Sequence, residues 1–144
     1  MTAVATHTRL ATAADAEAIA AIYNEGIADR IATFETEPRA VETIATQLAD
    51  KGDHYPTVVA ERDGRVIAWA SAGPYRNRPA YAGVAEHSVY IARAARGTGA
   101  GRAALDALCR LYAQRGFWKL VFRIFVATRP EGFRERTPTV WFLL

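Results

Sequence analysis

The chain is nearly devoid of cysteine: among 144 residues only Cys109 is one. An intramolecular disulfide is therefore impossible and no cysteine-rich metal cluster can be built, which points to a reducing compartment, the cytoplasm. Long hydrophobic runs are also missing. The segment Met1 to Leu10 has no apolar stretch behind its basic residue, and nothing approaches the roughly 18 apolar residues of a membrane span, so no membrane partner is expected. Tracts of Ser, Gln, Pro or Gly are absent, which leaves no linker or low-complexity segment, and no internal repeat is visible.

What is present is a hydrophobic content of 51%, ample for one continuous core, so a single domain over residues 1–144 is expected. The net charge of +3 with a pI near 9.3 suits an anionic ligand. So small an excess is common on ordinary proteins, and a phosphate-rich cofactor would meet it with two or three basic side chains. Nucleic acid ranks last as a partner, because there is no Arg/Lys run and no aromatic platform.

Along the chain, a short strand at Thr8–Ala11 precedes a Thr12-x-x-Asp15 capping box that opens a helix over Ala13–Ile27. A second amphipathic run, Ala40–Ala49, places Val41, Ile44, Ala45 and Leu48 on one face before Gly52 stops it. Thr57–Glu61 and Val66–Ala72 flank an Asp63-Gly64 pair, a strong hairpin signal. Gly73–Gly83, with two prolines, two arginines and two tyrosines, reads as a loop. In Glu86–Ala92 the alternation sets Glu86, Ser88 and Tyr90 on one side and His87, Val89 and Ile91 on the other. A helix follows Gly101 and stops at Gly116, and Lys119–Val126 is a further strand. The order β, α, α, β, β, β, α, β implies an α/β chain with a largely antiparallel sheet.

The chemistry centres on Arg96-Gly97-Thr98-Gly99-Ala100-Gly101, set between a strand and a helix. There the unpaired N–H groups and the helix dipole favour an anion such as a pyrophosphate. Glycine matters because a Cβ would block close approach and restrict positive φ. Arg96 and Arg102 add charge. A G-x-G-x-x-G dinucleotide fingerprint does not fit, since the spacing here is G-x-G-x-G and no acid follows twenty residues on; the Walker ending is missing too. A tight structural turn remains the plain alternative for the glycines alone.

Arg96-x-x-Gly99-x-Gly101 after a strand resembles the R/Q-x-x-G-x-G/A signature of the GNAT superfamily of N-acetyltransferases. Ile22-Tyr23-Asn24, Thr36-Glu37-Pro38, Gly73-Pro74-Tyr75-Arg76 and Glu86-His87-Ser88-Val89-Tyr90-Ile91 are similar to the phosphinothricin and arsinothricin acetyltransferase branch. The resemblance implies a GNAT-like acyl-CoA N-acyltransferase fold, with a mixed, mostly antiparallel sheet flanked by helices. It implies acetyl-CoA as co-substrate and no metal: the main chain of Val89, Tyr90 and Ile91 holds the pantetheine arm, while Arg96, Gly97, Thr98, Gly99, Ala100, Gly101 and Arg102 take the pyrophosphate. Glu86 is implied as the base that frees the amine. Phe34, Arg76, Arg78 and Tyr81 are implied around an amino-acid-like acceptor such as phosphinothricin, arsinothricin or methionine sulfoximine, because arginine forks suit tetrahedral oxyanions.

His87 is the second choice as base, although alternation points it away from Glu86. Tyr112 could protonate the leaving thiolate, but a core tyrosine at helical spacing is the plainer reading. Cys109, inside a helix, reads as packing. After Ile124-Phe125 the resemblance fails. The family's asparagine and next helix do not follow, and Val126–Leu144 is a divergent tail, leaving the C-terminal part of the fold incomplete. Its apolar end, Val140–Leu144, must pack on something, and a homodimer partner or the sheet edge would serve. The alternative to an enzyme is a catalytically impaired acyl-CoA-binding protein.

Overall fold

A computed structural model of the protein describes residues 5–30, 35–123 and 139–143. The first strand, β1 (His7–Leu10), leads through a 3-10 turn at Ala13–Asp15 into helix α1 (Ala16–Ala28). The capping box forms as the sequence implies: the Asp15 carboxylate accepts from the Thr12 backbone N–H at 2.7 Å and from its hydroxyl at 3.4 Å. The residues expected to open the helix thus make a tighter turn before α1 proper begins.

Helix α2 (Val41–Lys51) runs two residues past its expected end, to Gly52 at φ +50°. The hairpin is tighter than expected, because β2 (Val58–Arg62) and β3 (Arg65–Pro74) close to a loop of Asp63 and Gly64. Both turn residues have positive φ, 51° and 73°, as a primed turn requires. Gly73 and Pro74, expected in the following loop, belong to β3. Strand β4 (Val84–Ile91) starts two residues early, helix α3 (Ala100–Gln114) starts within the glycine segment, and β5 (Lys119–Arg123) and β6 (Thr139–Leu143) complete the order. The rest of the expected strand, 124–126, lies outside the described residues.

Six strands form one sheet in chain order, β1 to β6. Every neighbouring pair is antiparallel except β4 and β5, whose parallel pairing requires the crossover that α3 supplies. This is the mixed, mostly antiparallel sheet that the sequence implies.

The two faces are built from opposite residues of the same strands. Ala60, Ala68, Ala70, Ala72 and Ala85 form a small-residue floor on which Ala104, Leu108 and Tyr112 of α3 are almost completely buried. On the other face, Val59 and Trp69 meet Ile19, Ile22, Tyr23 and Ile27 of α1 and Ile44 of α2. The alternation of side chains along β3 and β4 therefore divides the molecule into an alanine-paved face and an aromatic one.

Candidate active site

The β4–β5 ladder is short. It runs from Val84 opposite Lys119 to Glu86 opposite Val121; beyond that, Phe122 and Arg123 pair with β6. Strand β4 continues to Ile91 with β3 on its other side, Ala68 opposite Ile91. Among the described residues the β5-facing edge of β4 from His87 to Ile91 therefore carries no ladder. Main-chain donors and acceptors on such an edge are ready to pair with an extended, amide-bearing ligand.

Immediately beyond this edge a 3-10 turn at Arg93–Ala95 delivers the chain to Gly97, Gly99 and the N-terminus of α3, a helix of 15 residues. Gly99 is the N-cap residue at φ +89°, a conformation that costs any residue with a Cβ about 1–2 kcal/mol. At Gly101 the constraint is proximity, since an added Cβ would stand 2.5 Å from Ile91 Cδ1. The glycines thus serve the two purposes expected of them, turning the chain and bringing α3 against β4. The first N–H groups of α3 have no partner within the helix and lie at its positive end, which suits an anion.

The side chains around this turn are braced. The Arg62 guanidinium donates to Thr98 Oγ1 at 2.7 Å and to its carbonyl at 2.9 Å. Arg96 donates to Asp29 at 2.7 Å, and Arg93 reaches the same carboxylate at 2.8 and 2.9 Å. Hydrogen bonds from Arg93, then Arg96, hold the Asp29 carboxyl down to about 2. Arg96 is thus fixed to the end of α1, whereas Arg102 is exposed on the first turn of α3, with Asp106 3.9 Å away.

On the aromatic face lies a cavity of about 440 Å³ walled by α1, α2, β3 and β4. Glu86, Ser88 and Tyr90 line it from β4, as their alternation requires. Tyr90 stacks on Trp69 with ring centroids 4.7 Å apart and meets Tyr23 edge-on at 4.9 Å. Burial pushes its phenol up to about 12. His87 turns to the other face, buried against Phe122 at 5.0 Å, and burial lowers its imidazole to about 4. Its direction agrees with the sequence reading. Tyr112 is fully buried with its hydroxyl donating to the Pro56 carbonyl at 2.8 Å, and burial raises its phenol. Cys109 packs against the core under α3, its thiol pushed up by burial.

The remaining residues implied for the acceptor are not gathered here. Arg76, Arg78 and Tyr81 are exposed on the loop after β3, and none is among the cavity walls, which pass from Pro74 on β3 to Glu86 on β4. Arg76 lies over the Tyr75 ring, which meets Tyr81 edge-on. Phe34 lies outside the described residues. In exchange the cavity holds Arg39 and Lys51, which sequence reading did not select. Arg39 is placed by two sequence motifs acting together. The Asn24 amide accepts from the Arg39 N–H at 2.8 Å and donates to its carbonyl at 3.1 Å, just after Glu37-Pro38. Its guanidinium lies 4.8 Å from the Tyr23 ring centroid and binds Glu35, whose carboxyl it lowers.

Comparison with known proteins gives a consistent set of matches. Residues 19–131 match the model of the family described as Acetyltransferase (GNAT) family. The phosphinothricin N-acetyltransferase of Streptomyces viridochromogenes is 34% identical over 123 residues, 85% of this chain and 67% of that protein. The L-methionine sulfoximine/L-methionine sulfone acetyltransferase of Salmonella typhimurium is 36% identical over 105 residues, 69% of this chain and 59% of its own. The crystal structure of a phosphinothricin acetyltransferase from Sinorhizobium meliloti, in complex with acetyl-CoA, superposes with a TM-score of 0.77 at 36% identity, covering 83% of this chain and 65% of that one.

Proposed function

The chain belongs to the GNAT family of acetyltransferases, and from that membership we propose that it acetylates the amine of a small amino-acid-like acceptor, with phosphinothricin, arsinothricin and methionine sulfoximine as the first candidates. The observation that carries this reading is the end of the β4–β5 ladder at Glu86, beyond which, among the described residues, the β5-facing edge of β4 from Ser88 to Ile91 carries no ladder up to the glycine turn. It supports a main-chain site for the pantetheine arm along Val89, Tyr90 and Ile91, with the diphosphate at Gly97–Gly101 and Arg102 within reach of it. Acetyl-CoA held there supplies a thioester carbonyl activated for attack.

The chain's own residues do the rest. An ammonium is not a nucleophile, so Glu86, where the β4–β5 ladder ends and in the cavity wall, takes a proton from the amine directly or through one water. The neutral amine attacks the acetyl carbon and the carbon–sulfur bond breaks. The amine's second proton leaves the tetrahedral intermediate, and the departing thiolate takes up a proton to leave as CoA thiol. Main-chain N–H groups of the β4 edge steady the oxyanion, a contribution worth about 3–4 kcal/mol where such donors have been removed. Tyr112 does not fit as the thiolate's acid, since its hydroxyl already donates to Pro56 within the core.

The reading extends to the chain as a whole. It is one domain, family-like over residues 1–125, with a divergent tail over 126–144 of which Thr139–Leu143 adds an edge strand beside β5. It works in the cytoplasm as a homodimer. A thiol-release assay with acetyl-CoA and a panel of amines tests the proposal, with release expected from the amino-acid oxyanions above. Measurable CoA binding with no release from any amine would instead identify an acyl-CoA-binding protein that has lost turnover.

A further inference from the structure

Lys51 is the last residue of α2 and reaches down to the sheet. Its ammonium donates to Ser71 Oγ at 2.6 Å and to the Ala72 carbonyl at 2.9 Å, and Ser71 also accepts from the Thr57 hydroxyl at 3.1 Å. The lysine is half-buried, and Ser71 and Thr57 are both buried. Among the described residues Lys51 forms no ion pair, although Arg9, Arg39, Arg93 and Arg96 each have a carboxylate partner. A half-buried cation held by neutral acceptors lacks the counter-charge that such groups normally require. It also has one more N–H than those two acceptors use. Loss of water lowers its pKa, as an unneutralised position demands.

Lys51 and Ser71 line the same cavity as Glu86. On β3 and β4, Ser71 stands opposite Ser88 and Gly73 opposite Glu86, so Ser71 and Glu86 are diagonal neighbours on one face. Such a diagonal spans about 7–8 Å, a gap that a small molecule with two oppositely charged ends can bridge. Resting on the acetyltransferase reading above, we infer that Lys51 is the receptor for the α-carboxylate of the acceptor, so that this cavity selects amino acids over simple amines. An α-amino acid carries its ammonium and carboxylate on one carbon. With the carboxylate on Lys51 its amine faces Glu86, and specificity and proton removal become two ends of one contact. Arg39 does not compete for this role, because Glu35 already neutralises it.

L-Methionine sulfone tests the inference, since its α-carboxylate is its only anionic group. Its methyl ester removes that charge and keeps the rest. Calorimetry in the presence of CoA reads binding with or without turnover. The protein should bind the acid at least about tenfold more tightly than the ester. In Lys51→Met the two should bind within about twofold of one another, with the ester unchanged, and Lys51→Arg should recover part of the preference. The inference is overturned if the unaltered protein binds neither compound or does not distinguish them. It is equally overturned if Lys51→Met loses acid and ester alike, the behaviour of a lysine that only ties α2 to the sheet. The two readings fail separately. Lys51-dependent binding of the acid with no thiol release from any amine sinks catalysis and keeps the receptor; thiol release without any preference for the acid does the reverse.

Discussion

The two sides of the β4 strand solve different problems with different materials. Toward α3, the site is made of main chain: a strand edge without a ladder among the described residues, two glycines with positive φ, and a helix N-terminus pressed against Ile91. Toward α1 and α2 it is made of side chains, with Glu86, Tyr90, Trp69, Arg39 and Lys51 converging from β4, β3, α2 and the segment before α2. A cofactor that never changes can be held by backbone, which needs few particular residues. An acceptor that differs between relatives must be read by side chains, which substitution can alter without disturbing the fold.

If that division is real, the largest effect should come from a change confined to the acceptor side. Glu86→Gln keeps the shape and removes the proposed base, so kcat should fall about 10²- to 10⁴-fold while the CoA dissociation constant stays within twofold. The measurement is thiol release beside calorimetry with CoA. A parallel loss of CoA affinity would show that the two halves are not separable at Glu86.

The complementary change attacks the backbone side. Gly101→Val would press a side chain into Ile91, and overpacking of this kind costs about 1–3 kcal/mol. Thermal unfolding should register it, and CoA binding should weaken. Ile91→Ala in the same background should return part of both. Full CoA affinity in Gly101→Val would mean that close approach of α3 to β4 is not what makes the cradle.

The same division explains what could be read from the sequence. Gly97, Gly99 and Gly101 act within six residues of one another, and the Asp63-Gly64 turn within two. Their spacing states their geometry directly. The faces of β4 followed from alternation alone, which placed Glu86 and His87 on opposite sides. The cavity on the aromatic face draws residues from Ile19 to Tyr90, and no local pattern marks Lys51 as more than the polar end of an amphipathic helix. Asn24 and the Glu37-Pro38 motif were visible as separate marks. Only the fold reveals that the first clamps Arg39 just after the second. The Arg76–Tyr81 loop was legible as a loop, but its relation to the cavity depends on tertiary placement, and here it stands outside the walls.

A smaller effect separates architecture from chemistry on the α3 side. Tyr112→Phe strands the Pro56 carbonyl in the core, which should destabilise the protein by about 1–2 kcal/mol in urea unfolding and leave kcat unchanged. A fall in kcat with no change in stability would return Tyr112 to the role of acid for the thiolate.

The smallest expected effect lies at the other end of α1, where Asp15 anchors the helix that supplies Ile19 and Tyr23 to the cavity. Its carboxylate takes two hydrogen bonds from Arg9, at 2.8 and 2.9 Å, and one from the Thr12 N–H. The Arg9 contact, followed by the Thr12 backbone, lowers its pKa below the usual value of 3.8 despite the opposing effect of burial. A carboxyl whose pKa is lower folded than unfolded adds stability above the unfolded value, and this is lost as pH falls through the folded one. Asp15→Asn keeps an oxygen for Thr12 but removes the charge, so it should cost about 1 kcal/mol or less at pH 7. The difference from the unaltered protein should begin to shrink below about pH 4, where the unfolded chain's carboxyl takes up a proton, and vanish as pH falls through the lower folded value. Because Ile19 and Tyr23 of α1 wall the proposed acceptor cavity, Asp15→Asn should raise KM for the amine more than it weakens CoA. If CoA weakens by the same factor, α1 supports both halves, through the Asp29–Arg96 contact at its far end.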